Sequence, residues 1–417
     1  MAREKEVTVF DRPFAKAKVA VLGLAYSHIT RADPPEGSSL GDECVDACRR
    51  AIADANLLPH DIDGVTSHVM HSDGGRNDGV RTVSPQYIWR RLKLPVRWGE
   101  VNNKYLGSSM IEAHNAIAGG ACRYALVWWA TDFARGATKA RADRSPAAGE
   151  AQFVMPYGGA APYTFHAATA QRYYQKYGAT REHMASFIVT NRQHALMNEK
   201  GYWSLHKPLE LTVADYLSAR MLADPLCLYD ADIPVRGCIA YVLGPAQAAK
   251  DLSHRAAYIK AFAQAWIGPN GSRSFCHEGG RLAKPSLEDN EELPAMFRRN
   301  LWEPAGLQPA DVTTVNVYDG FSILAWLHLE ALGFCGVGEA FEFVQGGRTG
   351  IKGELPVNTG GGHLGEGHLG GGPHYSEAIL QAMGRSGSRQ VDSVRYALAS
   401  TDRPTRAQVI IFGSEPT

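Results

Sequence analysis

The sequence predicts an α/β protein built from two similar halves, with a helical insertion in the first half. Three observations lead to this prediction. Strand patterns alternate with helical patterns over the first 131 residues, a run of helical patterns then interrupts the alternation, and a short segment of the first half recurs in the second. The chain of 417 residues is long enough for two core-forming halves.

The alternation is carried by strand and helix patterns in turn. Short apolar runs that are typical of buried strands lie at residues 18–24, 61–67 and 124–131. Apolar residues at helical spacing lie at residues 42–57, 84–92 and 108–117. Ser84 is the predicted N-cap of the second helix and Pro85 lies in its first turn, where these residue types are favoured. Alternating elements of this kind pack as layers of helices on a sheet.

The helical insertion is predicted at about residues 132–226, where strand patterns are absent. Helical patterns in it lie at residues 166–177, 181–196 and 213–222. Strand patterns return at residues 238–243 and 257–263, and a connector rich in Gly, Ser and charge precedes a helix at residues 292–301. We therefore predict an N-terminal half over residues 1–267 and a C-terminal half over residues 268–417.

A short internal similarity suggests that the two halves are duplicated. The segment from Ala55 to Val65 (ANLLPHDIDGV) matches the segment from Ala305 to Val315 (AGLQPADVTTV) in its Ala, Leu, Pro, Asp and Val positions. Each copy follows a helical pattern and leads into a strand pattern. Chance recurrence is the alternative, because any helix-to-strand turn favours Pro and Asp.

Composition and charge exclude several classes of protein. Lys plus Arg equals Asp plus Glu at 43 each, so no global field attracts nucleic acid. The longest strongly apolar run, residues 124–131, is too short to span a bilayer, and the amino terminus lacks the apolar core of a secretory signal. Seven scattered cysteines fit reduced thiols better than a disulfide framework. We expect a cytoplasmic protein that binds no nucleic acid and has no membrane span.

The first candidate for chemistry is the turn that follows a strand pattern at about residue 315. Tyr318, Asp319 and Gly320 form a tight turn between that strand and an amphipathic helix. Open α/β sheets form their sites at the carboxyl ends of strands, so Tyr318 is placed to act on a substrate. The alternative is a tyrosine that only packs at a strand end, with its hydroxyl bonded to the backbone.

The second candidate is a glycine-rich segment at residues 355–377, with glycine triplets at 360–362 and 370–372. It could be a phosphate cradle, an oxyanion hole or a tight crossing of chain on chain. It lacks the lysine of a P-loop and the spacing of a dinucleotide site, which disfavours nucleotide hydrolysis and hydride transfer. The spacings of its histidines fit no known zinc site, so no metal is predicted. These histidines are His363, His368 and His374.

The third candidate is the stretch at residues 102–117, a polar, Gly-containing loop that runs into a helix. Free N–H groups and the helix dipole at such a start favour a developing anion. Ser108 lacks a nucleophile elbow and any cue for a partnering base, so it is either a weak candidate for chemistry or an N-cap.

Several of these segments resemble the thiolase-like lipid-transfer proteins, which include sterol-carrier-protein-type thiolases and the steroid side-chain aldolases derived from them. The resemblance covers nearly the whole chain, and its most specific parts are VYDGFSILAWLHLEALGFCGVGEA and LPVNTGGGHLGEGHLGGGPHYSEAI. It implies a thiolase fold: two βαβαβαββ-type halves in a five-layer αβαβα sandwich, with a helical loop region in the first half. This agrees with the duplication suggested by the internal similarity.

The departures from the thiolase pattern decide the expected chemistry. Lys104 stands at the place of the acylated thiolase cysteine, and residues 398–402 contain no cysteine where the second one is expected. Without a thiolate, the acyl-enzyme route is closed. The turn Tyr-Asp-Gly-Phe stands where thiolases of this group have His-Asp-Cys-Phe and where the steroid aldolases have a Tyr. His368 stands where thiolases have a His and where a second aldolase Tyr would fall.

The resemblance therefore implies a retro-aldol lyase that splits a β-hydroxyacyl-coenzyme A into a carbonyl compound and a shorter acyl-coenzyme A. Tyr318 and His368 are the expected catalytic residues, and either could be the base. Asn358 and the glycines Gly360, Gly361 and Gly362 are candidates for holding the thioester oxygen. Asp319 and His363 are further candidates for positioning the substrate, and His374 is a weaker one.

Two alternatives stay open at this point. Lys104 could form a Schiff base with a ketone, although its Asn neighbours do not promise the desolvation that a reactive lysine needs. The chain could also be a non-catalytic acyl-coenzyme A-binding subunit that retains the fold. No cofactor is expected beyond the coenzyme A of the substrate. The resemblance implies a homodimer and a small partner with an OB-fold, and the carbonyl product, steroid or aromatic, is left open.

Overall fold

The computed structural model describes residues 17–68, 78–80, 82–102, 105–134, 162–265 and 287–416, and a mixed nine-stranded sheet organises them. The order of strands in this sheet is β3-β2-β4-β7-β1-β8-β11-β10-β9, and a separate ribbon pairs β5 with β6. The strands are β1 (Val19–Tyr26), β2 (Gly64–His68), β3 (Trp98–Asn102), β4 (Ala125–Asp132), β5 (Met221–Ala223), β6 (Leu226–Cys227), β7 (Arg236–Pro245), β8 (Ala257–Gln264), β9 (Thr314–Asn316), β10 (Tyr396–Thr401) and β11 (Gln408–Gly413).

The helices cover the sheet and fill the insertion. They are α1 (Leu40–Asp54), α2 (Pro85–Leu92), α3 (Leu106–Ala118), α4 (Pro162–Tyr177), α5 (Arg181–Met197), α6 (Tyr202–His206), α7 (Val213–Leu217), α8 (Leu287–Glu291), α9 (Leu293–Phe297), α10 (Glu303–Ala305), α11 (Ser322–Ala331), α12 (Ala340–Phe343), α13 (Gly362–Glu366) and α14 (Gly372–Met383). In the described part of the chain, no helix has both the length and the apolar character that a bilayer span requires.

The sheet repeats one topology on both sides of the β1–β8 junction. Moving outward from the junction, β1-β7-β4-β2 corresponds to β8-β11-β10-β9, with two antiparallel pairings followed by a parallel one on each side. In the first half, β3 is the parallel neighbour of β2. In the second half, the corresponding neighbour of β9 is a single parallel bridge between Val315 and Val357. The duplication predicted from the sequence is thus confirmed in the fold.

The internal sequence similarity marks the same turn in each half. Both copies form a 3₁₀ turn, Pro59–Asp61 in one and Pro309–Asp311 in the other, directly before β2 and β9. In each turn the Asp carboxylate accepts the backbone N–H three residues earlier, at 2.8 Å from Leu58 and 2.9 Å from Gln308. The match is therefore structural and not a chance recurrence.

The layers of the predicted sandwich can be recognised from the packing of the core. Helices α1 and α2 pack against one face of β1, β4 and β7 in the first half. Helices α3 and α14 pack against strands of both halves and form the middle layer. Helix α11 packs with the insertion helices α4 and α5 on the far side. Helices α3 and α14 begin beside the ends of β2 and β9, where the candidate residues lie.

The helical insertion packs onto the C-terminal half. Ala195 on α5 lies close to two glycines of the glycine-rich segment. A Cβ added at Gly361 would lie 2.6 Å from the Cβ of Ala195, and one added at Gly365 would lie 2.5 Å from it. The predicted insertion is seen from residue 162 onward, and the predicted boundary at residues 267 and 268 lies outside the described residues. The insertion contributes directly to the conformation of the glycine-rich segment.

The duplicated turns give a test of the fold. We expect Asp61→Ala and Asp311→Ala each to lower the free energy of unfolding by about 1 kcal/mol, because each removes the acceptor of a backbone N–H. Denaturant unfolding measures this loss. Asp46→Ala is the matched control, because Asp46 is an exposed carboxylate whose pair with Arg50 contributes little. Unchanged stability in both turn variants would show that these hydrogen bonds do not maintain the repeat.

Candidate active site

Tyr318 lies just beyond the end of β9, and Gly320 makes room for its ring. A Cβ at position 320 would lie 2.6 Å from the Tyr318 hydroxyl, so the phenol folds back over the turn only because residue 320 is glycine. Tyr318 is 5% exposed and packs beside the rings of Tyr105, His363 and His374. Burial, and then the neighbouring Tyr105 and Asp232, raise the pKa of Tyr318 well above its ordinary value. The phenol therefore keeps its proton and is suited to donate it.

Asp319 is fully buried and accepts hydrogen bonds from several parts of the chain. One carboxylate oxygen accepts the backbone N–H of His363 at 2.7 Å and contacts Nε2 of His374 at 2.8 Å. The other accepts the side-chain amides of Asn191 at 3.2 Å and Asn358 at 3.1 Å. These contacts use the acceptor capacity of a carboxylate. Asp319 thus positions the residues around it and does not face a substrate.

Gly362 allows the glycine-rich segment to approach Asp319. Its φ is +57°, and a Cβ there would lie 2.2 Å from the Asp319 carboxylate. Any other residue would both strain the backbone and displace the carboxylate. The tight crossing of chain on chain, one of the alternatives for this segment, is what the structure has at this position.

Two of the donors predicted to hold the thioester oxygen, on Asn358 and Gly361, make hydrogen bonds within the protein. The amide of Asn358 donates to the Val317 carbonyl at 2.9 Å and to Asp319, and its oxygen accepts the Val317 N–H at 2.8 Å. The N–H of Gly361 donates to the Asn358 carbonyl at 2.7 Å, and the Gly360 carbonyl accepts the Asn198 side chain. Asn358 and Gly361 therefore fix the loop, and direct contact with a thioester oxygen is not what their geometry favours.

His368 is paired with Asp232, a residue that the sequence analysis did not single out. Nδ1 of His368 makes a short hydrogen bond to the Asp232 carboxylate. The His368 N–H donates to the Ile233 carbonyl at 2.9 Å and the Asp232 N–H to the Gly320 carbonyl at 3.1 Å, so backbone contacts hold both residues. The bond at Nδ1 directs the imidazole proton there and leaves Nε2 as an acceptor. His368 is 17% exposed and can reach a bound molecule.

Neighbouring charge and burial act in opposite directions on the pKa values of Asp232 and His363. Burial opposes ionisation of Asp232, but attraction to His368, the hydrogen bond from His368 and the nearby His363 hold its pKa well below its usual range. Burial lowers the pKa of His363 to about 4, so this imidazole is neutral at physiological pH. The dyad is therefore an ionised carboxylate that orients the His368 imidazole.

Asp232, His363 and His368 are also the candidate metal ligands in the described part of the chain, since their ligand atoms lie within 4.8 Å of one another. The chemistry of His363 does not fit this use. Its Nε2 accepts the Gly371 N–H at 2.9 Å, so its own proton is on Nδ1, the atom that faces Asp232 at 3.7 Å. A nitrogen that carries a proton cannot bind a metal. The absence of a metal stays a prediction.

An aromatic wall borders these groups. Trp129 stacks on His68 with ring centroids 4.3 Å apart and lies parallel to Tyr105 at 6.3 Å. Phe133 meets the His368 ring edge-on at 4.7 Å. Trp129 is buried, and its indole N–H has no hydrogen-bond partner among the residues that the structure describes. The site thus combines an apolar, aromatic surface with few polar groups, as ligand sites commonly do.

Of the weaker candidates for site residues, Ser108 and His374 lie in the described part of the chain. Ser108 is buried in the first turn of α3, where the Gln264 amide approaches it at 3.4 Å, and Tyr105 is the residue that precedes the helix. Ser108 is therefore not the N-cap. His374 is buried against Asp319 and Tyr318. Lys104 lies outside the described residues.

The chain matches known proteins over most of its length. The family model described as thiolase C-terminal domain-like matches residues 299–412. The chain is 30% identical to the 17-hydroxy-3-oxo-4-pregnene-20-carboxyl-CoA lyase of Mycobacterium tuberculosis, over 94% of this chain and 99% of that protein. It is 28% identical to the steroid side-chain-cleaving aldolase of Thermomonospora curvata, over 94% and 97% of the two chains.

Solved structures give the same result for the fold. The structure of an Ltp2-ChsH2(DUF35) aldolase matches with a TM-score of 0.79 and 26% identity, over 95% of this chain and 98% of that one. Human mitochondrial 3-ketoacyl-CoA thiolase matches with a TM-score of 0.65 and 14% identity, over 96% and 100%, which supports the fold alone.

The fold and the site thus define a thiolase-fold enzyme whose polar groups are a tyrosine and a carboxylate-bound histidine. The chain belongs to the thiolase-like lipid-transfer protein family, in the branch of the steroid side-chain aldolases. It is a carbon–carbon lyase of the retro-aldol type.

The Asp232–His368 dyad gives a test of the site. We expect Asp232→Asn to lower the single-turnover rate of cleavage by about 10²-fold or more, because the amide no longer stabilises a protonated imidazole or fixes its tautomer. Rapid-quench assays at a temperature where the variant is folded measure this rate. Asp46→Asn, in an exposed carboxylate on α1, is the control. A near-normal rate in Asp232→Asn would remove Asp232 from the account.

Proposed function

We propose that the chain cleaves a β-hydroxyacyl-coenzyme A into a carbonyl compound and a shorter acyl-coenzyme A, with His368 as base and Tyr318 as acid. The observation that carries the assignment is the hydrogen bond between His368 Nδ1 and Asp232, because it leaves Nε2 free to accept a proton. The raised pKa of Tyr318 supports the complementary role, since a protonated phenol can donate.

The reaction follows from these two roles. Nε2 of His368 takes the proton of the β-hydroxyl, and the electrons of that O–H bond form the carbonyl of the first product. The bond between the α and β carbons breaks, and its electrons form the enolate of the thioester. The phenol of Tyr318 then protonates the α carbon. Asp232 stabilises the imidazolium until it loses its proton to solvent.

The substrate class rests on the relatives and on the aromatic wall. The mycobacterial relative is named for a steroid in which carbon 17 bears the hydroxyl and carbon 20 bears the carboxyl-CoA group. Carbon 20 is bonded to carbon 17, so this hydroxyl is β to the thioester, as retro-aldol cleavage requires. Tyr105 and Phe133, which are partly exposed and lie beside the buried Trp129, offer the apolar surface that a fused-ring substrate would contact. We propose a steroid β-hydroxyacyl-coenzyme A as the substrate.

The described cysteines favour this chemistry over a thiolase mechanism. They are free, and burial raises the pKa of Cys122 and Cys227 to about 12, so these two are not thiolates. The aromatic rings beside Tyr318 are those of Tyr105, His363 and His374. Free thiols also suit a reducing compartment, and we propose the cytoplasm.

We also propose a homodimer that works with a small partner protein. The solved aldolase described above is named Ltp2-ChsH2(DUF35), which pairs Ltp2 with a second component. Among the described strands β3 lies at one edge of the sheet, and an edge strand can pair with a second copy. Light scattering of the purified chain, followed by cleavage assays with and without a DUF35-type protein, tests both parts.

The function is tested with 17-hydroxy-3-oxo-4-pregnene-20-carboxyl-CoA, the compound for which the relative is named. We expect the wild-type protein to release a ketone and a shorter acyl-coenzyme A, and Tyr318→Phe and His368→Ala each to lower the rate by about 10²–10⁴-fold. Tyr318→Phe should change the free energy of unfolding by no more than about 1.5 kcal/mol. Mass spectrometry of the products and denaturant unfolding measure these effects.

The controls are Tyr124→Phe, in the core beneath α1 and α2, and His60→Ala, whose side chain is exposed in the turn before β2. A Tyr318→Phe protein with wild-type turnover would overturn the mechanism. Binding of the compound without cleavage, with and without a DUF35-type partner, would favour the non-catalytic acyl-coenzyme A-binding subunit instead.

A further inference from the structure

The imidazole of His363 contacts the rings of both side chains to which catalytic roles are assigned above. Its ring centroid lies 4.9 Å from that of Tyr318 and 4.9 Å from that of His368. In the proposed reaction Tyr318 acts at the α carbon and His368 at the β oxygen, and the thioester oxygen is bonded to the carbon next to the α carbon. A donor for the thioester oxygen is therefore best placed beside both residues, as His363 is.

Two hydrogen bonds to the backbone fix the orientation of His363. Its own N–H donates to the Asp319 carboxylate at 2.7 Å, and its ring Nε2 accepts the N–H of Gly371 at 2.9 Å. Gly371 lies at the N-terminus of α14, where N–H groups have no acceptor within the helix. A Cβ at Gly371 would lie 1.9 Å from Thr401, so this close approach requires glycine. The imidazole is thus held with its proton on Nδ1.

The Nδ1–H of His363 is a buried donor that makes no hydrogen bond to any residue the structure describes. The Asp232 carboxylate that it faces lies 3.7 Å away, which is too far for a hydrogen bond. A donor that is buried and unpaired is costly, and a catalytic use is one reason for a protein to keep it. Asp232 and His368 are each 17% exposed, so Nδ1 borders the part of the site that a bound molecule can enter.

The proposed reaction needs a donor of this kind. Cleavage places negative charge on the thioester oxygen, and a hydrogen-bond donor aimed at that oxygen stabilises the charge. Asn358 and Gly361, the donors expected there from the sequence, make hydrogen bonds within the protein. We propose that the Nδ1–H of His363 donates to the thioester oxygen as the enolate forms. This inference rests on the proposed function, and it makes His363 a catalytic residue.

A neutral imidazole suits this role. Burial lowers the pKa of His363 to about 4, so it donates a hydrogen bond and keeps its proton throughout the reaction. The charge of Asp232 does not oppose the enolate. By the time the enolate forms, His368 has accepted the proton of the β-hydroxyl, and the Asp232–His368 pair then carries no net charge.

Two substitutions separate the donor of His363 from its acceptor. His363→Gln can place an amide oxygen near the position of Nε2, where Gly371 needs an acceptor, but it places no N–H near Nδ1. His363→Asn can place an amide N–H near the position of Nδ1, but it leaves the Gly371 N–H without an acceptor. The donor role and a purely structural role therefore predict opposite orders of activity for the two variants.

We expect cleavage of the steroid thioester at saturating concentration to fall by about 10²-fold in His363→Gln and by a smaller factor in His363→Asn. Rapid-quench assays of a single turnover, at a temperature where each variant is folded, measure these rates. His60→Gln is the matched control, because His60 is exposed in the turn before β2.

A second measurement does not depend on cleavage. The probe is propionyl-CoA labelled with carbon-13 at the thioester carbonyl, and difference infrared spectroscopy reports the stretch of that carbonyl in the bound state. A hydrogen bond to the oxygen weakens the C=O bond. We therefore expect the band at a lower wavenumber in the wild-type protein than in His363→Gln.

The outcomes separate this inference from the proposed function. If the wild-type protein does not cleave the steroid thioester, the proposed function fails, and the infrared comparison still decides whether His363 binds the thioester oxygen. Near-normal cleavage in His363→Gln would overturn the inference. A greater loss in His363→Asn than in His363→Gln would also overturn it, because His363 would then serve only as the acceptor of Gly371. The same carbonyl band in wild type and His363→Gln would overturn it as well.

Discussion

The buried carboxylate of Asp319 is the interaction on which the rest of the site depends. It accepts hydrogen bonds from the backbone of His363 and the side chains of Asn191, Asn358 and His374. These residues belong to the insertion helix α5, the glycine-rich segment and α14. Asp319 itself follows Tyr318, so the group that joins these parts also fixes the backbone that carries the phenol of Tyr318. Leaving such a carboxylate without partners would be costly, which favours a single arrangement of the four contacts.

The insertion is therefore part of the site and not only an addition to the fold. Besides the contact of Asn191 with Asp319, Asn198 donates to the Gly360 carbonyl at 2.9 Å and to Glu366 at 2.7 Å. Trp203 donates to the Leu364 carbonyl at 2.9 Å. These contacts hold the segment that leads to His368. The glycines of this segment are needed because α5 and the Asp319 carboxylate approach its backbone closely.

The sequence predicted the alternating elements and the duplication because these depend on local patterns. The strand β1, the helix α2 with its Ser84 cap, and Tyr318 at a strand end are of this kind. Asp232 was not predictable in this way, because it pairs with His368 across 136 residues and no local pattern marks it. The glycine-rich segment was ambiguous, since an oxyanion hole and a chain crossing require the same residue type. Only the contacts of Gly361 and Gly362 distinguish them.

Amide hydrogen exchange of Asp319→Asn tests most directly whether one carboxylate holds the site together, with Asp46→Asn as the control. An amide at position 319 keeps the size of the side chain but replaces one acceptor oxygen by a donor. We predict that exchange becomes faster together in the glycine-rich segment and in α5, while α1 and β2 exchange as in the wild type. Faster exchange in one of the two segments alone, or in neither, would contradict the central role of Asp319.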